Sequence, residues 1–268
     1  MKTQGSFSLL DLGEFEGWLA TQAVARSIEV VQQHHTYIPN YSHFDGTNHF
    51  RLLESMKDAH LERGFADIAQ HFTTFPDGTV GSGRSLNAIP AGIKGANRGA
   101  VCIENLGNFD LGRDEITASQ RDTIVGLTAV LLKRFGIAAD TKGILYHHWF
   151  DLNTGERTDG GGVTKSCPGS GFFQGNSVPD CQQHFVPLVR ERLRRTQIDD
   201  HSVGAAILKI GRVTADRLNV RSGPSSKNQI VDVLRRGIEV KCYEERRNWW
   251  RIHSVENLWL YSYYLDEQ

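Results

Sequence analysis

Histidine and cysteine side chains, which are good zinc ligands, occur in three separated fragments of the chain. The fragments are His34-His35-Thr36, Tyr146-His147-His148-Trp149 and Thr164-Lys165-Ser166-Cys167-Pro168-Gly169. A catalytic zinc ion keeps three protein ligands and an open position for water, so two imidazoles and one thiolate would complete the site. Such an ion activates water and polarises a carbonyl oxygen. The three fragments therefore predict a zinc hydrolase, with an amide as a natural substrate.

Short strands are predicted just before both histidine pairs. Residues 27–33 and 142–146 are short runs that contain Ile, Val or Leu, a composition typical of strands. Sites in α/β folds form at the carboxyl ends of strands, which favours the metal site. The alternative is that the histidines are chance pairs among eleven and that Cys167 is a buried small hydrophobic residue.

The first two thirds of the chain alternate strand and helix patterns. Helices are predicted over residues 48–62 and from Thr117, which forms a capping box with Gln120. A hairpin is predicted around Pro76-Asp77-Gly78, and a last helix is predicted to end near Arg195. The pattern predicts an α/β fold in which helices flank a mixed central β-sheet, with the metal site at one edge.

The three fragments resemble the zinc N-acetylmuramoyl-L-alanine amidases. This family includes the phage-lysozyme-type amidases, the peptidoglycan recognition proteins and the cytosolic anhydro-muropeptide amidase, and the resemblance covers roughly residues 25–195. It implies that His34, His147 and Cys167 are the zinc ligands, with His148 as an alternative to His147. It also implies that Lys165 stabilises the oxyanion.

A further segment, Val101-Cys102-Ile103-Glu104-Asn105-Leu106-Gly107, resembles the strand that carries a catalytic glutamate in the recycling amidases. Glu104 is therefore the candidate general base, and the alternative is a structural carboxylate paired with an Arg or Lys. The sequence departs from the family at Gln70, where many relatives carry a tyrosine that assists catalysis. Because glutamine does not titrate, proton transfer is assigned to Glu104.

The connection over residues 151–162 is unusually long, and we expect it to form a hairpin or flap beside the metal. Its glycines lack the closing Gly-Lys-Ser/Thr of a phosphate-binding loop, so nucleotide binding is not predicted. The four cysteines include no close-spaced pair. A Cys167–Cys181 disulfide is the one rival pairing, and it would destroy the metal site.

Composition fits one sizeable domain with a smaller one, since 39% of the 268 residues are hydrophobic and 23% are charged. The net charge of −1 gives the chain no general attraction to nucleic acid or anionic lipid, so neither is a predicted partner. Neither a signal peptide nor a membrane span is visible in the sequence. We therefore expect synthesis in the cytoplasm and action on the cell wall after release or delivery by a dedicated route.

The carboxyl-terminal part resembles bacterial SH3-like domains through Leu218-Asn219-Val220-Arg221-Ser222-Gly223-Pro224. This implies a small all-β barrel that targets the cell wall. Trp250 and Trp259 are predicted to lie in its core, whereas Trp249 and Tyr261 are candidates for an exposed groove. Four segments are predicted along the chain: an N-terminal appendage (1–24), an amidase domain (25–195), a linker (196–204) and the SH3-like domain (205–268).

With the resemblance, the sequence predicts an enzyme that cleaves the amide between N-acetylmuramic acid and L-alanine. Its partner is then peptidoglycan, through both the glycan strand and the stem peptide. One alternative is a non-hydrolytic peptidoglycan receptor, which Gln70 favours and the intact ligand set disfavours. The other is a cytosolic muropeptide-recycling amidase, which the wall-targeting domain disfavours.

Overall fold

The computed structural model describes residues 1–202, 207–254 and 256–267, with the side chains of 196–202 left undescribed. The chain divides into two compact units, Met1–Leu193 and Arg194–Gln268. Their cores are separate clusters of buried apolar side chains.

A seven-stranded sheet forms the centre of the first unit, in the order β1-β2-β5-β4-β6-β3-β7. Strands β4, β6, β3 and β7 are parallel neighbours, whereas β5, β2 and β1 continue the sheet in antiparallel pairs. The predicted mixed α/β fold is confirmed. The strands are β1 (Lys2–Gln4), β2 (Phe7–Leu10), β3 (Val30–His35), β4 (Phe72–Thr74), β5 (Val80–Ser82), β6 (Ala100–Asn105) and β7 (Ile144–Tyr146).

Helices of the first unit pack around this sheet. The last of them is long and continues past Leu193, the end of that unit. Pro187, which lacks a backbone N–H, is the second residue of that helix and directly follows a π-helical turn. The helices are α1 (Leu12–Thr21), α2 (His49–Glu62), α3 (Ala118–Phe135), the short α4 (Val178–Asp180), a π-helical turn (Cys181–Phe185) and α5 (Val186–Ser202). The 3₁₀ turns are Tyr41–His43, His147–Trp149 and Phe172–Gln174 in the first unit and Ser262–Tyr264 in the second.

The N-terminal segment that the sequence described as an appendage contributes two strands to the central sheet. Leu9 and Leu10 of β2 pair with Gly81 and Val80 of β5, and α1 buries Phe15 against the core. The apolar side chains of this segment are removed from water by packing against the sheet and its helices, and this burial stabilises the arrangement. Residues 1–24 are thus continuous with the first unit.

The strand that carries the first histidine pair ends later than predicted. β3 runs over Val30–His35, so His34 and His35 are its last two residues and do not follow it. The strand extends because β6 supplies parallel partners as far as Asn105, which pairs with His35. The second pair follows β7 as predicted, with His147 opening a 3₁₀ turn.

The predicted hairpin is confirmed, with Phe72 paired to Ser82 and Thr74 to Val80. The predicted capping box of α3 is only half present. The Thr117 side chain accepts a hydrogen bond from Gln120 N. The Gln120 side chain instead donates to the carbonyl oxygens of Thr74 and Leu106 at 3.1 and 3.0 Å, which ties α3 to the ends of β4 and β6.

The connection over residues 151–162 folds into a closed loop. Asp151 accepts hydrogen bonds from the backbone N–H groups of Thr154 and Val163 at 2.9 and 2.8 Å, and Phe150 forms a β-bridge with Arg157. Cys167 and Cys181 are both free thiols, so the rival disulfide does not form.

The second unit is all-β and contains two antiparallel sheets, in the orders β10-β9-β14-β13-β12 and β11-β8-β15. Trp250 and Trp259 are buried, as predicted. The strands are β8 (Lys209–Val213), β9 (Arg217–Arg221), β10 (Ile230–Arg235), β11 (Glu239–Cys242), β12 (Glu244–Arg246), β13 (Trp249–Arg251), β14 (Trp259–Tyr261) and β15 (Leu265–Glu267).

The predicted linker 196–204 begins within α5, which continues to Ser202, and its last two residues lie outside the described part of the chain. Across the described residues, none of the helices has the length and apolar character needed to cross a bilayer.

Candidate metal centre

Three side chains from distant parts of the sequence converge in the first unit. One potential ligand atom each from His34, His147 and Cys167 lies within 4.8 Å of the others. The two Nδ1 atoms are 3.2 Å apart, and Cys167 Sγ is 3.4 Å from His34 Nδ1. All three side chains are buried, with 2%, 8% and 6% exposure. Two imidazoles and one thiol at this spacing form a donor set suited to zinc.

Parallel pairing brings the two histidines together. β3 lies between β6 and β7, so the carboxyl ends of all three strands meet at one edge of the sheet. Asn105 at the end of β6 donates to the carbonyl oxygen of His34 at 2.7 Å. The Cys167 loop is fixed to the same edge because His148 N donates to Cys167 O at 2.7 Å.

The structure brings His147, and not His148, into the cluster. His148 Nδ1 lies 2.7 Å from the carbonyl oxygen of Lys165, an oxygen that can only accept, so this nitrogen carries a proton. The backbone of His148 holds the cysteine loop while its ring points to the edge of that loop. His147 is therefore the candidate metal ligand and His148 is not, a choice that the spacing in the sequence did not make.

A buried glutamine orients the first histidine. Gln32 Nε2 donates to Ala96 O at 2.9 Å, which fixes the amide so that its oxygen lies 3.3 Å from His34 Nε2. His34 Nε2 therefore donates, leaving the Nδ1 lone pair directed into the cluster. A Cβ atom at Gly92 would lie 2.2 Å from Gln32 Oε1 and 2.9 Å from His34 Nε2, so this contact requires glycine. Sequence reasoning missed Gln32, although a polar residue two positions before a ligand on the same strand face was a usable signal.

Burial sets the protonation of the ligands. Desolvation lowers the pKa of His34 well below its ordinary value and lowers that of His147 to about 4. Both imidazoles are therefore neutral at pH 7, as metal binding requires. Burial, followed by the nearby Glu104 charge, raises the pKa of the Cys167 thiol. A bound dication reverses this by stabilising the thiolate.

Glu104 lies directly beside His34, since the two residues are register partners in the β3–β6 pair. Burial raises the pKa of Glu104 to about 8, and the positive charge of Lys165 opposes that rise. Its Oε2 atom is buried with no hydrogen-bond partner among the described residues. A carboxyl group that lines the cleft at the metal cluster and has a buried, unpaired oxygen has the properties of a functional group.

A cleft of about 880 Å³ opens over the cluster. Lys165 is exposed at its wall, α2 contributes His60, and Arg63 follows directly after that helix. The closed loop over 151–162 contributes none of the described lining residues. The expectation of a flap beside the metal is therefore not met at this cleft.

Gln70, the position where the resemblance expected a tyrosine, is fully buried and does not line the cleft, whereas the preceding Ala69 does. Its Nε2 donates to Thr73 Oγ1 at 3.0 Å, and its Oε1 has no partner among the described groups. The glutamine side chain packs below the cleft surface and offers no titratable group there.

Comparison with known families assigns both units. A family model described as N-acetylmuramoyl-L-alanine amidase matches residues 24–170, which is more than half of the chain. A model described as bacterial SH3 domain matches residues 216–266. The endolysin of Escherichia phage T7 is 30% identical over 89 residues, which cover 31% of this chain and 57% of that protein. The match thus spans little more than half of this relative.

Solved structures that are similar to the chain include the following two. The endolysin amidase LysCS from Clostridium intestinale is 24% identical, covers 55% of this chain and 78% of its own, and gives a TM-score of 0.41. Drosophila PGRP-LB is also 24% identical, covers 57% and 81%, and gives a TM-score of 0.46.

Gln32→Leu should weaken zinc affinity about tenfold to a hundredfold, the usual cost of removing the partner that orients a ligand. Gln33→Leu is the matched control, because Gln33 is equally buried but bonds instead to Thr128 and Asn105. Competition with a chromogenic chelator measures both affinities. Equal zinc affinity in the two variants would contradict the orienting role.

Glu104 should make the chelated protein less stable as pH rises. Its folded pKa, about 8, lies above the ordinary value of 4.5, so stability is fully present below pH 4.5 and falls as the pH rises through 8. Glu104→Gln should then be more stable than the parent protein at pH 8, by on the order of a few kcal/mol, and nearly equal at pH 4.5. Urea unfolding of both proteins in chelator tests this. A pH-independent difference would show that Glu104 is not desolvated.

Proposed function

Because the chain belongs to the N-acetylmuramoyl-L-alanine amidase family, we propose that it hydrolyses the amide between N-acetylmuramic acid and L-alanine in peptidoglycan, using zinc. The observation that carries this proposal is the buried cluster of His34, His147 and Cys167 with Glu104 beside it, inside the segment that matches the family. The second unit, which matches bacterial SH3 domains, would hold the enzyme on the cell wall, the site where we propose that it acts.

His34, His147 and Cys167 would hold the zinc ion. Their nitrogen and sulfur donors, the neutral state of both imidazoles and the tautomer that Gln32 imposes on His34 all fit that ion. When bound, zinc supplies Lewis-acid polarisation of the substrate carbonyl and lowers the pKa of water.

The protein groups would handle protons and developing charge. The unused oxygen of Glu104 can accept a proton from the attacking water and then pass it to the departing amine of L-alanine. The charge of Lys165 opposes the rise in the pKa of this carboxyl group, and zinc held by the three ligands would oppose it further, so Glu104 would be a base near neutral pH. The Lys165 ammonium at the cleft wall would stabilise the oxyanion, whose charge is greater in the transition state than in the substrate.

Gln70 does not argue against catalysis, because the chain carries a titratable group elsewhere. The residue is buried under the cleft, and Glu104 provides the acid–base function that glutamine lacks. A non-hydrolytic receptor has no need for a desolvated carboxyl group beside an intact ligand set, so the geometry favours the enzyme.

Mass spectrometry of purified peptidoglycan after incubation with zinc-loaded protein tests the reaction. We expect free stem peptides with L-alanine at the amino terminus, together with peptide-free glycan. Chelation should abolish both products, and zinc should restore them. Intact peptidoglycan in the presence of protein that retains one zinc ion would reject the amidase and support the receptor.

Glu104→Gln should retain zinc and lose activity by at least about a hundredfold, a typical contribution of general acid–base catalysis. Cys167→Ala should lose both zinc and activity, because it removes one of three ligands. Glu29→Gln is a control, since Glu29 is an exposed carboxylate outside the cleft. Zinc content and product formation are measured on the same samples. Full activity of Glu104→Gln would reject its role as the base.

A further inference from the structure

The second unit contains a groove of about 960 Å³ that the proposed reaction does not use. β9, the loop that follows it, the turn between β12 and β13, and β14 form its walls. The charged side chains that line it are all arginines, and the described lining residues include no aspartate or glutamate. The arginines are Arg217, Arg221, Arg246 and Arg247.

Strand alternation places arginines and aromatic rings on the same face. Leu218 and Val220 of β9 point into the core, so the alternating positions Arg217 and Arg221 lie on the opposite face. On the neighbouring strands, Trp249 and Tyr261 are register partners whose ring centroids are 5.3 Å apart. The groove thus combines an aromatic platform with positive charge.

Two of the four arginines are available to a ligand. Arg246 forms an ion pair with Glu244, and Arg221 donates to the carbonyl oxygen of Asn228 at 2.7 Å. Arg217 and Arg247 are exposed, and neither has an acidic partner within the described part of the chain. Like charges in one concavity repel one another, so an anionic ligand relieves that cost.

We propose that this groove binds a peptide that carries free carboxylates. Arg217 and Arg247 contact the carboxylates, since the planar guanidinium group can pair with a carboxylate through two parallel hydrogen bonds. Trp249 and Tyr261 pack against the apolar part of the peptide. The assignment of a peptide rests on the proposed function, because the stem peptides of peptidoglycan supply such carboxylates to an enzyme held on the wall.

Calorimetric titration of the full-length protein with the tetrapeptide L-alanyl-γ-D-glutamyl-L-lysyl-D-alanine tests the proposal. This peptide has two free carboxylates and lacks the bond that the amidase would cut. Its diamide, in which both carboxylates are converted to amides, is the comparison that lacks the negative charges and keeps both amino groups. We expect the diamide to bind at least roughly tenfold more weakly, the loss typical of a charge-assisted hydrogen bond. Equal binding of the two peptides would overturn the proposal.

Arg217→Gln and Arg247→Asn should each weaken peptide binding roughly tenfold. Asparagine suits position 247 because this residue has φ of 56°, a conformation that asparagine tolerates. Lys241→Gln is the control, since it removes an exposed charge from β11, outside the groove. Binding that is unchanged in both arginine variants would place the peptide elsewhere, including the cleft of the first unit, and would overturn the proposal.

Two further arms make the result decisive even if one variant fails to fold, which melting temperatures would reveal. Raising the salt concentration from about 50 to about 500 mM should weaken binding of the unmodified protein severalfold, because exposed charges are screened. Poly(glycerol phosphate) is offered as a second anionic polymer. Tighter binding of this polymer than of the peptide, lost in the arginine variants, would assign the groove to a phosphate polymer and overturn the peptide proposal.

The amidase assay on the same preparations separates this proposal from the proposed function. An active amidase that does not bind the peptide rejects only the groove. Peptide binding that depends on Arg217 and Arg247, without hydrolysis of peptidoglycan, rejects only the reaction.

Discussion

The parallel pairing of β3 with β6 and β7 is the constraint on which the site in the first unit depends. It brings the carboxyl ends of three strands to one sheet edge and places His34 beside Glu104 in register. A shift of one residue would turn these side chains to the other face of the sheet. The register is secured by buried hydrogen bonds such as that from Asn105 to the carbonyl oxygen of His34, so the same interactions that stabilise the sheet also align the chemistry.

Desolvation explains most of the electrostatics at this edge. Burial keeps His34 and His147 neutral, raises the pKa of Cys167 and leaves Glu104 with an unpaired oxygen. Without a cation, ionising the Cys167 thiol or the Glu104 carboxyl group at this edge is costly, so their neutral forms are favoured. A dication would relieve both costs at once. Metal binding and stability of the first unit should therefore be coupled, and the orienting bond from Gln32 belongs to that coupling.

The two units use charge differently. In the first unit, buried groups whose pKa values are shifted surround a deep cleft. In the second, an arginine-lined groove with no acidic lining residue lies on the surface, although the net charge of the whole chain is only −1. The net charge therefore does not indicate whether one surface of the protein can bind an anion. The distribution of charges over the surface depends on which face of a strand each side chain occupies.

The sequence by itself determined the ligand types, the strand-end position of the second histidine pair, the hairpin of β4 and β5, and the two-unit organisation. These depend on local patterns of turn residues and apolar periodicity, which act within a few positions. Tertiary structure decided the rest. It extended β3 through His35, chose His147 over His148, turned Gln120 from the helix cap to the ends of β4 and β6, and built residues 1–24 into the sheet. It also placed Gln32 behind His34 and aligned the arginines of β9 with Trp249. These outcomes depend on which distant backbone groups, side chains and strands meet when the chain folds, and no local pattern contains that information.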